Sequence, residues 1–249
     1  MKTHAALAFR AVLSFFVLCV ALVAGLGWAL AETAGPASNG TVEILSVSWQ
    51  PGYCVARPKS GGCKDFQAPA PAERQFTLHS RFLARKSYCG IEAGLKQQAR
   101  KGKWTDLPEI TLASGTKERL LAAMPAVRLG LDRQQWLRSG SCIAPSAEAY
   151  YSRSLDLLDQ LNGSAVRALF AAKAGSAVTL AEVRAAFDQA FGAGAGERVR
   201  LACRKAGDKT VVTGMTIGMG SGEGTLQTLI ATAPPTKSRC TEGITGQPG

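Results

Sequence analysis

Residues Leu131–Cys142 read LDRQQWLRSGSC. A tryptophan lies on a helix-like run, an arginine follows two residues later, and Ser-Gly-Ser-Cys closes the segment. Two amides, two guanidinium groups and two hydroxyls crowded together look like the rim of a site. The segment has no histidine, no glutamate and no activated nucleophile, the groups that proton transfer and covalent catalysis draw on. What it does therefore depends on what the rest of the chain brings to it.

The chain has 249 residues, 46% of them hydrophobic, enough to bury a sizeable core in one α+β domain. Lys2 and Arg10 precede an apolar run, Ala11–Leu30, which closes on Ala29-Leu30-Ala31 before Glu32. A basic start, an apolar stretch and small residues at the cleavage positions form a secretory signal over residues 1–31. A retained anchor is the alternative for so long a run. No later segment is apolar for long enough to span a bilayer, so a periplasmic or secreted protein is expected. Cys19 leaves with the signal. Cys54, Cys63, Cys89, Cys142, Cys203 and Cys240 remain, an even set that suggests three disulfides in an oxidising compartment, with fifteen pairings open. A zinc site needs Cys-x-x-Cys spacing with partner histidines, which the chain lacks. The glycine run Gly218–Gly224 has no Lys-Ser/Thr ending and opens no clear helix, so it reads as a turn. A monomer without metal or cofactor is expected.

Charge narrows the partners. The chain carries 29 basic and 18 acidic residues, a net +11. Without Lys2 and Arg10 the balance is +9. Such a field attracts polyanions, nucleic acid among them, through counterion release, although solubility alone accounts for it equally well.

Along the chain, 32–40 is a flexible lead-in rich in Ala, Gly, Ser and Pro. Thr41–Gln50 reads as a strand with Leu45, Val47 and Trp49 on one face, ending at Pro51-Gly52 before a loop with Cys54 and Cys63. Glu73–Phe82 is a second strand. Alternation puts Phe76, Leu78 and Ser80 on one face and Thr77, His79 and Arg81 on the other. Helices are expected at Thr116–Ala123, Asp132–Arg138 and Ala147–Leu161, the last with Tyr151, Leu155, Leu158 and Leu161 at helical spacing. Thr179-Leu-Ala-Glu182 is a capping box opening a helix to about Phe191. Val199–Arg204 and Thr210–Ile217 flank KAGDK as a hairpin. Ala99–Trp104, ARKGKW, reads as a solvated basic loop. Trp49 and Trp136 read as core residues beside their motifs. Past His4, which leaves with the signal, one histidine remains: His79.

Three stretches in order, SWQPGYC (Ser48–Cys54), FTLH (Phe76–His79) and WLRSGSC (Trp136–Cys142), together with TLAEVRAAFDQAFG and RVRLACRKAG further on, resemble the landmarks of the ribonuclease T2 family in its bacterial periplasmic form. The resemblance spans about Thr41 to Cys240. It implies an α+β domain over 41–249, a mostly antiparallel central sheet flanked by helices and stapled by disulfides, with a loose C-terminal tail. It also implies the pairs Cys54–Cys63, Cys89–Cys142 and Cys203–Cys240.

The second family motif is Phe-Thr-x-His-Gly-Leu-Trp-Pro, and the third is His-Glu-Trp-x-Lys-His-Gly-x-Cys. His79 matches the acid-side histidine, while Ser80-Arg81-Phe82-Leu83 replaces Gly-Leu-Trp-Pro. In the third motif the histidines fall on Gln134 and Ser139, the glutamate on Gln135 and the lysine on Arg138. Members cleave RNA by attack of a ribose 2′-hydroxyl on its own phosphodiester, which needs a base for that hydroxyl and an acid for the departing oxygen. Ser139 is no base, and Gln135 offers hydrogen bonds without charge. Arg138 keeps a phosphate-suited cation. The resemblance thus implies an exported protein that binds single-stranded RNA, or another polyanion, through Gln134, Gln135, Arg138, Ser139, Arg81 and Phe82, with His79 as a residual catalytic group. Two alternatives stand beside this pseudo-ribonuclease. One is a divergent endoribonuclease forming 2′,3′-cyclic phosphate ends, with His79 as general acid beside a carboxylate such as Asp132 or Glu148. The other is an exported protein-binding or structural domain.

Overall fold

The computed structural model describes residues 42–60, 63 and 74–247; the expected signal, 1–31, and the lead-in, 32–40, lie outside them. Strand β1 (Glu43–Trp49) buries every second side chain, with Leu45, Val47 and Trp49 inward as its alternation predicts. Pro51 then starts a helix instead of a loop. The ring presets φ and lacks only an N–H that the first turn leaves unused, so α1 (Gln50–Ala56) follows β1 directly and carries Cys54. Gly52 lets α1 press on the sheet: a Cβ there would stand 2.0 Å from the Val212 carbonyl oxygen.

Strand β2 (Phe76–Leu83) is followed by α2 (Ala93–Arg100), α3 (Ser114–Ala123), α4 (Leu131–Arg138), α5 (Ala147–Asn162) and α6 (Ala165–Ala172). Then come β3 (Ala177–Thr179), α7 (Leu180–Phe191), β4 (Val199–Ala206), β5 (Lys209–Met219), α8 (Leu226–Ala231) and β6 (Glu242–Ile244). The six strands form one sheet in the order β2-β1-β5-β6-β3, with β4 hydrogen-bonded to β5 as the expected hairpin. All pairings are antiparallel except a parallel contact at Val211–Ile244. The α+β architecture and the three disulfides, Cys54–Cys63, Cys89–Cys142 and Cys203–Cys240, are as expected.

The core lies between the sheet and the long α5. Tyr150, Tyr151, Leu155, Leu158 and Leu161 are buried along its inner face. Trp49, Phe76 and Phe170 meet with ring centroids 4.9–5.2 Å apart, tilted or edge-on. Such pairs add about 0.5–1.5 kcal/mol each beyond area burial. At the start of α7 the Thr179 hydroxyl accepts from the Glu182 amide at 3.2 Å, and the Glu182 carboxylate accepts from the Thr179 amide at 2.9 Å, closing the capping box.

One sequence expectation changes, and two are refined. The C-terminal segment is not loose through residue 247. The Thr245 hydroxyl is buried and donates to the Lys173 carbonyl at 2.6 Å, and β6 pairs with β3, because the Cys203–Cys240 bond carries the chain back onto the sheet. Ala99–Trp104 is the end of α2 and a 3₁₀ turn, with the Trp104 indole donating to the Ala99 carbonyl at 3.0 Å. The glycine run is the expected connector: Gly218 and Met219 finish β5, and Gly220–Gly224 turn into α8, which Thr225 caps.

Candidate functional site

His79 sits at a break in the β1–β2 ladder. Ser46 pairs with Ser80 and Val47 with Leu78, so His79 is an extra residue with no partner on β1. A bulge of this kind kinks the strand and re-aims one side chain. It also cancels the strict alternation: Thr77 and Arg81, expected to share a face with His79, are buried, whereas His79 is exposed.

The imidazole opens into a pocket of about 510 Å³. Ser80 and Phe82 of β2 line it, Ser46 of β1 flanks it, and Arg85, Lys86 and Ser87 follow from the next segment. The opposite wall is the C-terminal turn of α4, with Gln135, Arg138 and Ser139. Two links hold the walls together: the Tyr88 amide donates to the Arg138 carbonyl at 2.9 Å, and Cys89 is bonded to Cys142. Gly140 sets the exit of α4, since a Cβ there would lie 2.4 Å from the Trp136 ring and 3.0 Å from Tyr150. Half-buried Trp136 packs on Tyr150 at 6.3 Å between centroids, while Trp49 is fully buried; both are packing residues.

The pocket is one-sided in charge. Arg85, Lys86 and Arg138 are exposed cations, and none of the lining residues is a carboxylate. The His79 pKa is held below the ordinary histidine value, first by the desolvation of a ring set in a concave wall and second by the Arg138 guanidinium. Solvent still reaches the residue, so this is a ring in a crowded but open recess. Across it the Ser139 hydroxyl donates to the Gln135 amide oxygen at 3.3 Å. That bond turns the Gln135 NH₂ into the available donor of the pair.

The remaining candidates lie elsewhere. Arg81 was expected at the phosphate, but its guanidinium is buried, 2.7 Å from Glu43 and 3.2 Å from the Ser154 hydroxyl, over the Tyr150 ring. The Tyr150 hydroxyl completes this edge by accepting from the Arg81 amide and donating to its carbonyl. Gln134 is buried outside the pocket lining, its amide oxygen without a hydrogen-bond partner. Neither proposed carboxylate partner of His79 lines the pocket. Asp132 is buried at the start of α4, and burial raises its pKa. Glu148 accepts from the Ala113 amide and the Thr116 hydroxyl at the start of α3. Arg85 and Lys86 were not among the sequence candidates. Their signal was a basic pair directly after the histidine strand and just before Cys89.

No protein-family model and no curated protein matches the chain. Solved structures do. The self-incompatibility-associated SF11 ribonuclease of Nicotiana alata is 13% identical with a TM-score of 0.54, the likeness covering 82% of this chain and 94% of that one. Ribonuclease NT, solved with 5′-AMP, is 14% identical with a TM-score of 0.53, over 85% and 100%. Actibind, a T2 ribonuclease, is 12% identical with a TM-score of 0.51, over 85% and 89%. The fold of this chain is T2 ribonuclease-like.

Proposed function

We propose that the chain is an exported, ribonuclease T2-like protein that binds single-stranded RNA at the His79 pocket and turns it over poorly. One observation carries this reading: the pocket gathers three cations and one imidazole, and no carboxylate or second imidazole lines it. The cations suit a phosphodiester, for which guanidinium is a planar fork of donors. Gln135 adds a neutral donor, and half-buried Phe82 offers a face on which a base can stack. In-line cleavage asks for more. One group must take the 2′-hydroxyl proton while another gives a proton to the departing oxygen, and the loss of either costs about 100- to 10,000-fold. His79 can fill one role, and the hydroxyl of Ser139 cannot fill the other near neutral pH. The 5′-AMP complex of ribonuclease NT is consistent with nucleotide recognition on this fold. Three disulfides and the leader-like N-terminus support export.

Fluorescence anisotropy with labelled oligouridylate tests the binding half. The logarithm of the affinity is expected to fall linearly with log salt, and Arg138→Ala is expected to reduce the magnitude of the slope by about 0.7, the loss of one phosphate contact on a single strand. Binding no tighter than that of an unrelated protein of equal charge, with no effect of Arg138→Ala, would instead favour a structural or protein-binding role.

A further inference from the structure

The segment that closes the pocket does not end with it. Ser87 is a lining residue, and the next residue, Tyr88, lies under two further cations. The Lys96 ammonium stands 5.7 Å from the Tyr88 ring centroid and the Arg100 guanidinium 5.5 Å. Both belong to α2, four residues apart on one face, where like charges repel and weaken a helix. The aromatic face offsets part of that repulsion and holds the two side chains over one ring. Tyr88 is itself fixed. It adopts a left-handed backbone conformation at φ 57°, donates to the Arg138 carbonyl and precedes the Cys89–Cys142 bond. The platform and the pocket wall are therefore parts of one rigid piece.

The distribution of charge along the chain points the same way. Ala84–Lys103 contains Arg85, Lys86, Lys96, Arg100, Lys101 and Lys103 against the single acid Glu92, a net +5 out of the chain's +11. Among the described residues the ion pairs engage Arg81, Arg119, Arg133, Lys173 and Arg198, and none of those six cations. Arg100 in the last turn of α2 also complements the helix dipole, but Lys96 in the middle of α2 has no such role. A run of cations left without carboxylates, continuous in sequence with the lining of an anion pocket, suits a strand of successive phosphates.

We infer that Lys96 and Arg100, presented by Tyr88, form a second phosphate-binding subsite that carries an RNA strand out of the His79 pocket along α2. The inference rests on the proposed RNA binding and extends it: the protein prefers a strand several nucleotides long to a dinucleotide. Tyr88 is covered by the two cations, so its role is to position them and not to stack on a base.

The test compares 2′-O-methyl uridine oligomers, a dimer and a decamer, which lack the hydroxyl needed for cleavage. Affinities of the parent protein, Lys96→Gln/Arg100→Gln and Arg138→Ala are measured between 50 and 200 mM salt. Loss of two phosphate contacts is expected to make the decamer's log–log salt slope shallower by about 1.4, a relative change of about sevenfold across that range. The decamer-to-dimer affinity ratio falls with it, and Lys96→Arg/Arg100→Lys restores both. If the double glutamine variant keeps the parent slope while Arg138→Ala weakens both oligomers, the α2 subsite is wrong and the pocket reading stands. If Arg138→Ala leaves both oligomers unchanged, the pocket reading fails, and the subsite fails with it as an extension of that pocket. Adsorption to phosphatidylglycerol vesicles that exceeds decamer binding and disappears in the double variant would overturn the inference by making this face a membrane surface.

Discussion

At the scale of single residues, the protonation of His79 is the sharpest handle on the pocket. Desolvation of the ring in its recess and the Arg138 charge both disfavour the imidazolium, so the folded protein holds the proton less tightly than the unfolded chain does. Between the folded pKa and the ordinary value near 6.5, the unfolded state binds more protons. Stability from this group is therefore intact above about pH 6.5 and is lost as pH falls through that window. A phosphate beside the ring acts in the opposite direction and raises its pKa. By NMR titration of the ring, His79 is expected to titrate below 6.5 in the free protein, to move up in Arg138→Ala, and to move up again when a nucleotide is bound. A His79 pKa at or above 6.5 in the free protein would contradict the geometry. The charged neighbours lining the pocket are Arg85, Lys86 and Arg138. Gln135, Arg138 and Ser139, which the resemblance to the ribonuclease T2 motif implies through Trp136, Gly140 and Cys142, do line the pocket. The place of Arg81 was not legible in the sequence, because its partner Glu43 stands 38 residues earlier on a neighbouring strand, and local pattern carries no information about such a pairing.

At the scale of elements, the β1–β2 edge decides where His79 points, and the buried Arg81–Glu43 pair lies at that edge. Removing one member leaves an uncompensated buried charge, a loss of about 3–5 kcal/mol, whereas replacing both with apolar residues of similar volume is close to neutral. Urea unfolding is expected to show a strongly lowered midpoint for Arg81→Met and for Glu43→Leu singly, and near-parent stability for the double variant. Equal, additive losses would mean that the two residues do not act as a pair. The elements with strong periodicity or explicit caps were legible: β1, α5, the capped α7 and the β4–β5 hairpin all lie within a few residues of their expected bounds. The short α1, α2, α6 and α8 were not expected. At six to eight residues they are too brief for periodicity to separate them from loops, and tertiary packing holds them. The bulge at His79 escaped for a related reason. Strict alternation is the default for a strand, and only the partner strand reveals an extra residue.

At the scale of the whole molecule, the order of the three landmarks and the cysteines carried the fold, because a disulfide framework and buried aromatics constrain topology more than local propensity does. The sheet order, with β6 returning beside β3 and β5, was not legible, since three-residue strands leave almost no pattern. What the assembled molecule offers is a cationic recess with one proton carrier, set on a T2 ribonuclease-like scaffold. The measurement that bears most directly on the central claim is cleavage of single-stranded RNA by the purified protein from pH 4 to 8, beside His79→Ala, with 2′,3′-cyclic phosphate ends as the readout. The account predicts bound RNA with turnover at least about 100-fold below that of an active T2 ribonuclease assayed alongside. Turnover equal to that enzyme's, and abolished in His79→Ala, would contradict it.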